Sequence, residues 1–256
     1  MTMTRHCKLS LVQPKRKWRL IPLLEASGRV QMAIDRWLLS QHQLGLHPPT
    51  LRFYTWSPAA ISLGYHQSSF PPHWQQLTWN GVPVDLVRRP TGGRAVLHQG
   101  DLTYAVVTSG FTGSRIQVYQ QLCEFLIQGW RVLGVQLHYG NAGRGYIHNP
   151  NCFGTATGAD LILPDGNKLI GSAQLKRDRA ILQHGSIRLQ PDVELFQQVF
   201  GDAAFRPLDL PTIQIEEIIQ ALTTAASDRF DGQFDIQPLT TAEWEAILLQ
   251  QENTRV

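Results

Sequence analysis

Cysteine is scarce in this chain of 256 residues: there are three, Cys7, Cys123 and Cys152. They are too few and too widely spaced for a disulfide framework or a CxxC metal site. The nine histidines include no HExxH pair, and no metal site is expected. No apolar run approaches the roughly 20 residues that span a bilayer. The amino-terminal stretch is charged and has no apolar h-region, which argues against a secretory signal. The excess of positive charge is only +3 and forms no long stripe. Lys15-Arg16-Lys17 with Arg19 reads as a solvated edge leading into a strand, rather than a nucleic-acid patch. Repeats, low-complexity tracts and convincing linkers are missing too. These absences lead to the expectation of a soluble, cytoplasmic protein with neither nucleic acid nor membrane among its partners. Its 43% of hydrophobic residues suffices for one substantial core.

The chain is rich in alternating strand and helix patterns. Trp18–Leu24 reads as a first strand, and Ser27 can cap a helix with Val30, Ala33, Ile34, Trp37 and Leu38 on one face. Leu51–Trp56 and Ala59–Leu63 read as two strands joined at Ser57-Pro58. Val84–Arg89, Ala95–Leu97 and Leu102–Thr108 supply three more. Ile116–Leu133 is an amphipathic helix with Tyr119, Leu122, Cys123, Phe125, Leu126 and Trp130 on its apolar stripe. Val135–Tyr139 reads as a strand, followed by a glycine- and asparagine-rich loop from Gly140 to about Thr157, a candidate lid. Pro164-Asp165-Gly166-Asn167 turns Leu161–Leu163 into Lys168–Leu175, and a second turn leads into Ala180–Leu189. Val193–Phe200, Ile215–Ala225 and Thr241–Gln250 read as helices. The expected fold is α+β, a mixed and largely antiparallel sheet flanked by helices. The catalytic core is placed at about 18–205, with a short helical segment over about 206–256.

Chemistry concentrates in RRPTGGRAVLH, residues 88–98. Gly92 and Gly93 let the backbone pass close to a ligand, while Arg88, Arg89 and Arg94 make the turn positive, which suits an anion. No GxxxxGK[ST] follows, so this is not a P-loop. Thr91 and His98 flank the glycines, and His98 serves equally well as a hydrogen-bonding prop. Three further segments carry reactive side chains. Cys152 in NPNCFGT sits in a loop rather than on an apolar face, and is a candidate nucleophile. Cys123, on a helix stripe, reads as a small core residue. Lys168 in GNKLIGSAQ opens a strand, where a lysine is often merely solvated. The small residues Gly171-Ser172-Ala173 that follow leave room for a ligand. His184 in QHGS reads first as a structural histidine.

The four segments, in this order and spacing, resemble the biotin/lipoate protein ligase superfamily. The resemblance covers roughly Trp18–Leu189 and includes the QMAIDRWLL helix and LRFYTWSPAAISLGYHQ. It implies a catalytic domain similar to class II aminoacyl-tRNA synthetases and biotin protein ligases. The arginine-threonine-glycine-glycine signature and the lysine before GSAQ are similar to the lipoate branch. Within that branch, Cys152 sixteen residues ahead of Lys168, and Arg94 where ligases more often carry a third glycine, resemble the cysteine-dependent octanoyltransferases of Bacillus-like bacteria. Two departures stand out. Gln31 occupies a position that is usually asparagine, and the Cys152 loop continues GTATGAD instead of a serine-proline run.

The resemblance implies that Cys152 and Lys168 are catalytic. It makes Arg88, Arg89, Thr91, Gly92, Gly93, Arg94, His98, Gly171, Ser172, Ala173 and His184 substrate-binding residues. Octanoyl-acyl carrier protein is the implied donor. Lysines on lipoyl domains, the E2 subunits of 2-oxoacid dehydrogenases and the glycine cleavage H protein, are the implied acceptors. That reading needs no cofactor. The alternative within the branch is an ATP-dependent lipoate–protein ligase using ATP and Mg, in which Cys152 is a bystander. A non-catalytic module that binds carrier domains is a third reading.

Overall fold

The computed structural model describes residues 15–140, 160–201 and 205–251; Cys7, Cys152 and the loop segment 141–159 lie outside them. An eight-stranded sheet runs β13-β1-β2-β8-β12-β11-β10-β9. Its members are β1 (Arg16–Ala26), β2 (Thr50–Trp56), β8 (Asp101–Ser109), β9 (His138–Tyr139), β10 (Leu161–Ile162), β11 (Lys168–Arg177), β12 (Ala180–Arg188) and β13 (Gly232–Ile236). Pairing is parallel for β13-β1-β2 and antiparallel for the other five contacts. The sheet is thus mixed and largely antiparallel, as its sequence pattern implies.

The central strands are buried on both faces because a helix covers each side. All nine residues of β12 are buried, so it reads as a continuous run rather than an alternation. On one face lies α2 (Arg115–Val132), whose Leu122, Phe125, Leu126 and Trp130 join Tyr104 and Val106 in one core. Each such side chain withdrawn from water contributes about 1.5–3 kcal/mol. Ser114 and Gln117 close a reciprocal capping box at its amino end, which fixes where the helix starts. On the other face, α1 (Gly28–Gln43) packs Met32, Trp37 and Leu38 against Tyr54, Val107 and Leu182. Ser27 is the N-cap of α1, but its side chain accepts no helix amide; Asp85 Oδ2 instead accepts from Gly28 N at 2.9 Å.

A second sheet has the order β6-β3-β7, formed by β3 (Ala60–Leu63), β6 (Asp85–Arg88) and β7 (Val96–His98). The strands on either side of the Thr91-Gly92-Gly93 turn do not pair with one another but flank β3, β6 in parallel and β7 antiparallel. Likewise β2 and β3 belong to different sheets, so Ser57-Pro58 joins two layers rather than two neighbours. Between these elements lie a 3₁₀ turn at Pro72–Gln76 and the small pair β4 (Thr78–Trp79) and β5 (Val82–Pro83).

The carboxy-terminal residues are built into the sheet. After α3 (Val193–Phe200), helix α4 (Ile215–Arg229) lies on α2. The two approach closely at Gly129, where a Cβ would stand 2.7 Å from Leu222 Cδ2. Strand β13, absent from the sequence pattern, adds to the free edge of β1, and α5 (Thr241–Gln250) packs on α1. There Arg19 Nη1 donates to Glu243 Oε1 at 2.7 Å. No helix among the described residues is long and apolar enough to cross a membrane.

Candidate active site

A cavity with about 420 Å³ of empty space opens between the glycine turn and the β11–β12 hairpin. Met32, Tyr54, Trp56 and Val96 supply its apolar lining. Arg89, Gly93, His98, Gly171, Ser172, Ala173 and His184, all singled out in the sequence, also line it. The small residues make the space. Gly171 pairs with Ser186 and Ala173 with His184. Gly185 cannot carry a side chain, since a Cβ would stand 2.6 Å from Ser172 Oγ and 2.7 Å from Tyr104 Cε1.

Two carboxylate–histidine–hydroxyl triplets brace this cavity. In the first, Asp101 Oδ2 lies 2.9 Å from His98 Nδ1 and Ser62 Oγ lies 2.8 Å from His98 Nε2. Asp101 Oδ2 also accepts from Ser186 Oγ at 2.7 Å and Thr103 Oγ1 at 3.2 Å. Trp56 stacks on the imidazole at 3.8 Å between centroids, and its indole N–H donates to Thr103 Oγ1 at 2.8 Å. Burial pushes the His98 pKa down, against the pull of Asp101. A neutral ring with its proton on Nδ1 donates to Asp101 and accepts from Ser62.

In the second triplet, His184 Nδ1 stands 2.7 Å from Asp35 Oδ2 and Nε2 stands 2.6 Å from Thr91 Oγ1. Asp35 Oδ2 also accepts from Tyr54 OH at 3.0 Å, and Asp35 Oδ1 faces Arg52 Nη1 at 3.6 Å. Arg52 in turn donates to Gln31 Oε1 and lies over the Tyr54 ring at 4.0 Å. Gln31 Nε2 donates to Leu24 O at 3.0 Å and Thr55 O at 2.9 Å. All of these side chains are buried, and together they tie α1 and β2 to β12 and the glycine turn.

The two arginines opening the glycine motif are turned to backbone oxygens. Arg89 donates to Ser62 O at 2.7 Å, Gly92 O at 2.9 Å and Arg94 O at 2.6 Å. Arg88 donates to Gly64 O at 2.9 Å and Gln67 O at 2.7 Å. Guanidinium forks read in the sequence as an anion cradle thus shape the turn itself. Gly93 adopts φ +95°, and a Cβ there would meet Arg89 Nη2 at 2.7 Å, so glycine is required. Thr91 and Gly92 also line a separate groove.

Lys168 is buried but does not line the cavity; its Nζ lies 2.8 Å from Asp160 Oδ1, itself buried. Further along β11, Ser172 Oγ accepts from Tyr104 OH at 2.8 Å. Gln183 Nε2 reaches Cys123 Sγ at 3.1 Å, and burial pushes that thiol up to about 12. Cys123 is accordingly an inert core residue.

Residues 27–227 match the family model described as the lipoyl protein ligase A/B catalytic domain. The chain belongs to this family. It is 39% identical over 188 residues to the octanoyltransferase LipM of Kyrpidia tusciae, covering 69% of this chain and 68% of that protein. The LipM of Lysinibacillus sphaericus is 32% identical over 255 residues, covering 88% of this chain and 91% of the other. Among solved structures, a lipoate protein ligase from T. acidophilum with bound lipoic acid superposes with a TM-score of 0.77 at 24% identity, covering 93% and 95% of the two chains. A lipoate-protein ligase A bound with ATP gives 0.75, also at 24% identity, covering 92% and 94%. These likenesses establish the fold.

Sequence reasoning missed Asp35, Arg52, Asp101, Ser62, Trp56 and Asp160. Asp101 carried a readable signal, standing three residues after His98 where a short turn returns its carboxylate to the ring. Asp35 carried none, being separated from His184 by 149 residues.

Proposed function

We propose that this chain is an octanoyltransferase. It moves an octanoyl group from octanoyl-acyl carrier protein to a lysine of a lipoyl domain, through a thioester on Cys152. The likeness to octanoyltransferases LipM, at 32% identity over 255 residues in one relative, carries this reading. An apolar cavity floored by Trp56 and Met32 is consistent with it, because each buried methylene of an acyl chain is worth about 0.8 kcal/mol.

In the first step the Cys152 thiolate adds to the thioester carbonyl, the carbon–sulfur bond to the pantetheine breaks, and the departing thiolate takes up a proton. One thioester replaces another, so no nucleotide is consumed. In the second step the lysine amine of the lipoyl domain attacks the acyl-enzyme, the Cys152 thiolate leaves, and the amine loses its proton as the amide forms. Lys168, drawn from Asp160 toward the carbonyl, stabilises the negative charge that develops on oxygen. Its positive charge also favours the cysteine thiolate. Arg89, Thr91, Gly93, His98 and His184 hold the acyl pocket in shape, and Gly171, Ser172 and Ala173 leave space for the chain. The acceptors are E2 lipoyl domains and the glycine cleavage H protein, and the site of action is the cytoplasm.

Intact mass spectrometry after incubation with octanoyl-carrier protein tests the nucleophile. The wild type should gain one octanoyl group without ATP and Cys152→Ala should gain none. An adduct that persists in Cys152→Ala would overturn the assignment.

A further inference from the structure

Outside the acyl cavity, on the far side of the glycine turn, lies a larger groove of about 1430 Å³. Tyr65, His66, Thr91 and Gly92 form one side, and Arg115, Lys176 and Arg177 project from the other elements around it. Among the described residues no carboxylate lines it. Arg115, Lys176 and Arg177 are exposed, and none has an ion-pair partner among the described residues. Asp178, the next residue on the chain, is engaged elsewhere, accepting from Gln43 Nε2 at 2.6 Å. Behind the groove, Arg36 donates to Arg88 O at 3.0 Å and leaves its buried Nε without a partner. Burial and the nearby Arg177 both push its guanidinium below the ordinary value. Like charges gathered without counter-charges destabilise the free protein, and are retained where a partner supplies the opposite sign.

The groove connects to the acyl cavity through two elements. Gly93 lines the cavity while Thr91 and Gly92 line the groove, and along β11 Ala173 lines the cavity while Gln174 to Arg177 line the groove. Arg177 stands four residue steps along the strand from Ala173, about 13 Å at 3.3 Å per residue. A phosphopantetheine arm covers such a span between its thioester sulfur and its phosphodiester. An acyl thioester in the cavity therefore brings its phosphate, and the acidic protein bearing it, over this positive surface. An acceptor lysine carries no such anion.

We propose that the groove formed by Tyr65, His66, Gly92, Arg115, Lys176 and Arg177 is the docking surface for the acidic carrier protein that delivers the acyl thioester, with the basic side chains receiving the phosphodiester and neighbouring carboxylates. This rests on the octanoyltransferase reading. Charge complementarity of this kind acts mainly on the rate of encounter, and salt weakens it.

The test measures acylation of the enzyme from two donors: octanoyl-carrier protein and octanoyl-N-acetylcysteamine, which is small and uncharged. In the double variant K176E/R177E, and separately in R115E, kcat/KM for the carrier-protein donor should fall at least about tenfold. The steep decline of the wild-type rate with salt should flatten. The rate with the small thioester should stay within about twofold of wild type, since the groove does not touch the acyl chain. An unchanged carrier-protein rate, or an equal loss with both donors, would overturn the docking surface. A loss confined to the later transfer onto a lipoyl domain would assign the groove to the acceptor, and overturn it equally. If the wild type is acylated by neither donor, the octanoyltransferase reading itself fails.

Discussion

His98 and His184 carry matching partners, a carboxylate at Nδ1 and a hydroxyl at Nε2, yet the two triplets are built differently. The His98 triplet is compact in sequence: Asp101 is three residues away, and the carboxylate receives hydrogen bonds from Ser186 and Thr103 as well as the ring. Its charge is dispersed over neutral donors. The His184 triplet reaches across the fold to Asp35, which also faces a buried cation, Arg52. One triplet is a local brace for the end of the glycine turn. The other fastens helix to sheet, and leaves an uncompensated guanidinium if its carboxylate is lost. Neither arrangement exposes a nucleophile, since Ser62 and Thr91 are each 1% exposed.

This difference predicts unequal costs. Asp35→Ala strands Arg52 without its counter-charge, and should lose about 3–5 kcal/mol in urea unfolding. Asp101→Ala leaves neutral donors unpaired and should lose about 1–3 kcal/mol. Equal losses would erase the distinction between the two triplets.

The buried pair Lys168–Asp160 provides the next contrast, between a group that braces and a group that reacts. Lys168→Met should slow octanoyl transfer about 10²–10³-fold and destabilise the fold by removing the cation that stands 2.8 Å from the buried Asp160 carboxylate. The double variant K168M/D160L should regain stability without regaining activity. Recovery of both would make Lys168 purely structural. A smaller effect is expected at Gly185, where an added methyl meets Ser172 and Tyr104. Gly185→Ala should cost about 1–3 kcal/mol by thermal or urea unfolding.

Much of this was readable in the chain. Helices α3 and α5 span the expected Val193–Phe200 and Thr241–Gln250, and α2 is displaced by one residue at each end. The glycine turn and the small-residue step in β11 do share one cavity, because glycine and serine inside apolar strands have few other uses. Pairing partners were less legible. Strands β6 and β7 look like a hairpin around Thr91-Gly92-Gly93, but both add to β3, and local sequence holds no record of a third strand between them. Gln31, Asp35 and Arg52 were unreadable for a related reason. Polar residues on an amphipathic helix or an alternating strand look solvated until another element covers them.

The smallest predicted effect is a dependence of stability on pH that comes from the first triplet. Burial lowers the folded-state pKa of His98, so as the pH falls below about 6.5 the unfolded chain takes up a proton that the folded chain resists. Stability is present above that pH and declines below it, toward the folded-state pKa. His42 and His47 are also lowered, by burial first, and slope the same way. The difference between wild type and His98→Gln in Tm against pH isolates the His98 contribution. Wild type should lose more stability than the variant between about pH 6.5 and 5; parallel curves would mean that His98 is readily protonated in place.

Octanoylation of a lipoyl domain, followed by mass with and without ATP, addresses the chemistry most directly. With octanoyl-carrier protein as donor, the lysine should be octanoylated without nucleotide, and Cys152→Ala should abolish the product. Product formed only from free octanoate and ATP, and undiminished in Cys152→Ala, would contradict a cysteine-dependent octanoyltransferase.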